Sequence, residues 1–155
     1  MSRKVLISAC LMGENVKYDG GNNYIEDSIL NAWEKSGFLV SVCPEVIGGL
    51  EVPRMPCEVV FGTHKVVNKN GEDKTVFFER GAFETLKIAK ENGVKMAILK
   101  ARSPSCGKKV IYDGSFSGTK IDDSGVTCKL LEANGIAVFT EKEIEEAQKY
   151  LEIIN

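Results

Sequence analysis

Histidine is almost missing from this chain. The one present, His64, lies in a polar stretch, so Cys–His or Ser–His catalytic pairs have little to be built from. None of the five cysteines forms a Cys-x-x-Cys pair, which removes the spacing of zinc ribbons and thioredoxin-type redox sites. Excess positive charge is lacking as well: 20 Lys and Arg against 22 Asp and Glu leave a net charge of −2, no general reason to bind nucleic acid. No apolar run is long enough for a signal peptide or a membrane span. Met1-Ser2-Arg3-Lys4 leads straight into a short strand, and the expected compartment is the cytoplasm. Repeats, low-complexity tracts and linkers are absent, so 155 residues predict one domain over 1–155 with one core. An odd number of cysteines in a reducing compartment points to thiols or metal ligands, not to a disulfide framework.

What is present alternates between two periods. Short apolar strands are predicted at Val5–Ser8, Phe38–Val42, Met96–Leu99 and Ile136–Phe139. Between them lie helical patterns at Glu26–Ser36, Phe77–Asn92 and Ser124–Asn134, each with a glycine just beyond its end. Thr140 and Glu143 make a capping box for a last helix with Ile144, Ala147, Leu151 and Ile154 on one stripe. Strand–helix alternation of this kind predicts an α/β domain with a mainly parallel sheet. Asp113-Gly114 between Val110–Tyr112 and Ser115–Phe116 predicts a two-residue β-hairpin beside it. Gly62–Thr75 has neither period and is read as a mobile loop, long enough for a lid.

Three of the thiols share a position. Cys10, Cys43 and Cys106 each follow a predicted strand by a few residues, so a parallel sheet gathers them at its carboxyl edge, where open α/β folds collect function. Small and turn-forming residues surround each one, in Ser8-Ala9-Cys10-Leu11-Met12-Gly13, Cys43-Pro44-Glu45 and Ser103-Pro104-Ser105-Cys106-Gly107. Such residues let backbone amides approach an anionic sulfur group. Three thiolates on a cubane of four irons and four sulfides leave one iron free for Lewis-acid work. A non-catalytic iron-sulfur or zinc module for sulfide storage or for sensing oxygen or iron is the alternative, as is a nucleotide-binding domain with thiols in its core. Cys57 and Cys128 read as structural, one before a strand and one within a helix pattern. Glu45, two residues past Cys43, is a candidate base. Ser103 and Ser105 are candidates for hydrogen bonds to a substrate, or for local turns around Pro104. Arg54, Lys100 and Arg102 are basic groups near the expected site, read most simply as surface charges and otherwise as anchors for a carbonyl or phosphate. Tyr18–Asn23 reads as a turn with polar groups to spare, and it does not fit a phosphate-binding fingerprint.

Together with Val16-Lys17-Tyr18-Asp19-Gly20-Gly21, Pro53-Arg54, Tyr112-Asp113-Gly114-Ser115-Phe116 and Gly125-Val126-Thr127, these motifs resemble the small bacterial family that includes the thiouracil desulfidases. The resemblance spans nearly the whole chain and implies a single Rossmann-like, three-layer domain. It implies a 4Fe-4S cluster as cofactor, held by Cys10, Cys43 and Cys106, with the sulfur of the substrate bound at the free iron. The implied activity is non-redox removal of sulfur, as hydrogen sulfide, from 2-thiouracil or a related thiolated base or nucleoside. Glu45 would then assist the attack of water, with Ser103 and Ser105 nearby. Lys17 stands where that family's pattern has arginine, and Leu50-Glu51-Val52-Pro53 is less proline-rich than the pattern.

Overall fold

Val5–Ser8 folds as β1, all four residues buried, and Ala9–Met12 follows it as a single 3-10 turn closed by Gly13 at φ +88°. Helix α1 covers Ser28–Lys35, and the carboxylate of Asp27 caps it by accepting from the N–H groups of Ile29 and Leu30. Strand β2 (Leu39–Val42) runs into a one-turn helix, α2 (Pro44–Ile47). Two short strands, β3 (Cys57–Val59) and β4 (Val66–Asn68), precede the long helix α3 (Thr75–Glu91). The second half comprises β5 (Met96–Leu99), β6 (Ile111–Tyr112), β7 (Lys120–Ile121), α4 (Val126–Ala133), β8 (Ala137–Thr140) and α5 (Ile144–Ile154). This computed structural model describes residues 3–154, so Met1 and Ser2 of the N-terminal run lie outside the described residues.

The principal sheet is parallel throughout, in the order β2-β1-β5-β8. Its two central strands are buried on both faces, which is why they read as unbroken apolar runs and not as alternation. Val5, Ile7, Met96 and Ile98 pack under α1 and α5 with Leu30, Trp33, Ile144, Ala147 and Leu151. Leu6, Ala97 and Leu99 face the other way, against Leu86 and Ala89 of α3 and Cys128 and Leu131 of α4. Each large side chain so enclosed contributes roughly 1.5–3 kcal/mol. The three-layer α/β architecture is therefore present as the sequence predicts, with helix bounds shifted by one or two residues. The carboxylate of Glu143 accepts from the N–H of Thr140, as a capping box requires, while the Thr140 hydroxyl accepts from Lys142.

Two expectations fail. The segment 62–75 is not an irregular loop: β4 lies in it and pairs antiparallel with β3. Its polar residues build the turn, with Asn68 Oδ1 accepting from the N–H groups of Asn70 and Glu72, and Asn68 Nδ2 donating to Glu72 Oε1 at 2.8 Å. The small antiparallel ribbon expected beside the sheet is present and begins at Ile111-Tyr112, but these residues do not pair with 115–116 across Asp113-Gly114. Strand β6 pairs with β7, after a seven-residue connection, 113–119. Asp113 Oδ1 there accepts from the N–H and the hydroxyl of Ser115, and Glu58 Oε1 accepts from the N–H groups of Gly114 and Phe116. Gly114, at φ +96°, serves to let this loop touch β3: an added Cβ would lie 2.8 Å from the Cα of Val60.

Candidate active site

From β1 the chain passes to β2 on one side and then returns to β5 on the other, so the strand order reverses between β1 and β5. At such a switch point the loops diverge and leave a crevice. A cavity of about 460 Å³ lies there, and Cys10, Cys43, Cys106, Glu45 and Ser103 all line it. Its size is within the range of small-molecule sites.

Each thiol is set by its own loop. Cys10 lies in the 3-10 turn after β1, and its carbonyl accepts from the N–H of Asn23 at 2.9 Å. Cys43 sits at the N-terminal boundary of α2. Two glycines bring that turn of helix onto α3: a methyl at Gly48 would overlap the carbonyl of Phe77, and one at Gly81 the carbonyl of Pro44. Cys106 is 4% exposed, at the end of a turn in which the Ser103 hydroxyl oxygen accepts from the N–H groups of Ser105 (3.1 Å) and Cys106 (3.0 Å). Burial pushes all three thiols above the ordinary cysteine value, so none is a ready thiolate nucleophile. Against burial stand the Ser8 hydroxyl, which donates to Cys106 Sγ at 3.3 Å, and the Asn23 side chain, which favours the charged form of Cys10.

Glu45 enters the cavity from α2 with its side chain 18% exposed. Burial raises its carboxyl above the usual range, against the pull of the Arg54 guanidinium 3.6 Å away. Arg54 is no surface charge: its side chain is 9% exposed, and it donates to the carbonyls of Glu51 (2.9 Å) and Val16 (3.0 Å) while facing Glu45. Lys100 and Arg102 also line the cavity, and the Lys100 ammonium lies 2.8 Å from Glu141.

Ser103 lines the cavity; Ser105 does not. Ser105 is fully buried, its hydroxyl bonded to that of Thr127 at 2.7 Å. His64 faces a separate hollow between α3 and α4. Cys128 is buried in the core beneath α4, the structural place read for it, whereas Cys57 lines the cavity near Glu45, with burial pushing its thiol up to about 11. Within Tyr18–Asn23, Tyr18 and Asn23 reach the cavity, and Asp19 and Asn22 make the turn by accepting from the N–H groups of Gly21 and Tyr24. Ser8 was not legible as a site residue, and Arg54 was legible by its place near the site but not by its hold on Glu45. Ser8 did carry a signal, as the only polar residue in a wholly buried strand.

The donor set fits a soft inorganic group: Cys10, Cys43 and Cys106, supplied by three loops, border one cavity, with Cys57 on its wall as well and the Ser8 hydroxyl donating to Cys106 Sγ. Among the described residues no three His, Cys, Asp or Glu side chains close on a point where a single ion would sit.

Fold and site thus define a parallel α/β domain whose topological switch point bears a cavity lined by cysteines and glutamates: Cys10, Cys43 and Cys106 together with Cys57, and Glu45 together with Glu58. The family model described as 2-thiouracil desulfurase matches residues 5–143, and the chain belongs to that family. YbbK of Bacillus subtilis (strain 168), an uncharacterised protein, is 41% identical over 150 residues, which span 92% of this chain and 98% of YbbK. The solved structure of TudS, a 4Fe-4S-dependent thiouracil desulfidase, superposes with a TM-score of 0.93 at 40% identity, covering 97% of this chain and 98% of that one.

Proposed function

We propose that this protein removes sulfur from 2-thiouracil or a related thiolated pyrimidine as hydrogen sulfide, by hydrolysis without net redox change, with a 4Fe-4S cluster held by Cys10, Cys43 and Cys106. The observation that carries this reading is the meeting of three separately supplied thiols with the buried carboxylate of Glu45 in one cavity. When bound, the cluster supplies a soft Lewis acid, an iron without a protein ligand, suited to a thiocarbonyl sulfur.

The chain's own groups do the rest. Glu45, its carboxyl raised by burial, is a stronger base than a surface carboxylate and takes a proton from the water that attacks the sulfur-bearing carbon. Arg54, fixed by two carbonyls, holds that carboxylate to one wall of the cavity. The lone pairs of the Ser103 hydroxyl accept two backbone N–H groups, so Ser103 serves the substrate as a donor, steadying an oxygen or nitrogen of the ring. Ser105, bonded to Thr127, supports the turn from behind. Family membership and the likeness to TudS support the reading.

The test is the iron and acid-labile sulfide content of protein prepared and reconstituted without oxygen, followed by assay on 2-thiouracil. Wild type is expected to hold about four of each per chain, and Cys10→Ser to lose them. Retention of neither element by wild type overturns the proposal and returns the thiols to a zinc site or to the core. With the cluster in place, Glu45→Ala is expected to keep iron and sulfide while turnover falls roughly 10²–10⁴-fold. Loss of iron in that variant would make Glu45 a ligand or a structural group instead.

A further inference from the structure

Ser8 is the last residue of β1, beside the switch point, and is 2% exposed. Its hydroxyl oxygen accepts the N–H of Lys100, the residue after β5, at 2.9 Å. With that lone pair engaged, the single hydroxyl proton is directed at Cys106 Sγ, 3.3 Å away. One side chain therefore ties the two strands that flank the crevice and donates to the most buried of the three sulfurs. On the opposite side the Asn23 backbone N–H donates to the Cys10 carbonyl at 2.9 Å, which sets Asn23 on the cavity wall with Cys10, where its amide side chain favours the charged form of the thiol.

We propose that the Ser8 hydroxyl and the Asn23 amide are positioning residues that draw charge from the Cys106 and Cys10 sulfurs, and so set the electron affinity of the iron-sulfur group those cysteines hold. The inference rests on the cluster reading above. A donor on a thiolate sulfur withdraws density that the sulfur would otherwise give to iron, and hydrogen bonds of this kind are among the levers that fix cluster potentials. The more reduced state carries more negative charge on sulfur and gains more from the donor, so the donor moves the potential upward. In a reaction that exchanges no electrons, the same withdrawal strengthens the acceptor offered to a soft substrate sulfur. This gives a hydrolytic site a reason to keep a hydroxyl in the middle of an apolar strand end.

The experiment is a dithionite titration of the reconstituted holoprotein, followed by electron paramagnetic resonance, on wild type, Ser8→Ala, Ser8→Thr and Asn23→Ala. Ser8→Ala and Asn23→Ala are each expected to retain iron and sulfide and to titrate at a more negative potential than wild type. Ser8→Thr, which keeps the hydroxyl, is expected to titrate with wild type. A merely structural role for Ser8 would alter stability or cluster content and leave the potential of the loaded fraction in place. Potentials in Ser8→Ala and Asn23→Ala equal to that of wild type overturn the inference while leaving the desulfidase reading intact. Should Ser8→Ala fail to load because the Lys100 N–H loses its acceptor, the Asn23→Ala potential decides. Wild type that binds no cluster fails the underlying reading first, a result distinct from a loaded protein whose potential does not move.

Discussion

At the scale of single residues, the two serines of Ser103-Pro104-Ser105-Cys106 are alike in sequence and unlike in surroundings. Ser103 faces the cavity with its lone pairs committed to the backbone, and Ser105 is buried against Thr127. Replacing each by alanine should therefore separate catalysis from stability. Ser103→Ala removes the only hydroxyl of the pair that a substrate can meet, and kcat/KM on 2-thiouracil per bound cluster is expected to fall roughly 10²–10³-fold, with some loss of stability besides, because the Ser105 and Cys106 N–H groups lose their acceptor. Ser105→Ala leaves the Thr127 hydroxyl unsatisfied in the core, and a loss of about 1–2 kcal/mol in urea unfolding is expected with kcat/KM near wild type. The reverse pattern would assign the chemistry to Ser105 through a rearranged turn. This division is invisible in the sequence, because which way a serine points depends on the helix packed behind it.

At the scale of elements, the parallel strands and their covering helices were legible because their apolar periods follow directly from two-sided burial or one-sided packing. The three thiols were placed with them, since a strand's end is fixed once the strand is. Missed were β4, three residues long, and the true partner of β6, β7, two residues long, because runs of that length carry no period. Asp113-Gly114 gave a real turn signal, but Glu58 and the Ser115 hydroxyl hold that turn inside a longer loop. Arg54 was misread for a related reason: its burial comes from the loops at Val16 and Glu51, which no local pattern announces. The seating of α2 on α3 is likewise a tertiary fact. A Cβ at Gly81 has no space against the carbonyl of Pro44, and main chain cannot step aside as a side-chain tip would. Gly81→Ala is thus expected to lose about 3 kcal/mol by urea unfolding, despite alanine's better helix propensity, and to lower iron retention by displacing Cys43. A variant as stable as wild type would show that α2 shifts freely and does not set the thiol.

At the scale of the molecule, the carboxyl edge of the sheet is both the site and a place where strand ends must be held together. Glu141, just past β8, reaches back to the end of β5, accepting from the N–H of Ala101 at 2.7 Å and the Lys100 ammonium at 2.8 Å. Burial acts to raise its carboxyl, but the hydrogen bonds from Lys100 and Ala101 outweigh it and leave the group below its ordinary 4.5. A carboxyl depressed in the folded state binds fewer protons there than in the unfolded chain, so its contribution to stability is present above the unfolded value. That contribution declines as pH falls below the unfolded value and is gone once pH has passed through the lower folded one. Glu141→Gln is expected to unfold about 1.5–3 kcal/mol more easily than wild type at neutral pH, the scale of a hydrogen-bonded charge. The gap between the two proteins should be constant from pH 8 to 6 and narrow below about pH 4.5, as wild-type Glu141 takes up its proton. Urea unfolding of both proteins across that range checks the sign. A gap that widened toward acid would mean the folded state holds Glu141 protonated, and would place the anchoring of β8 on the Thr140–Glu143 cap alone.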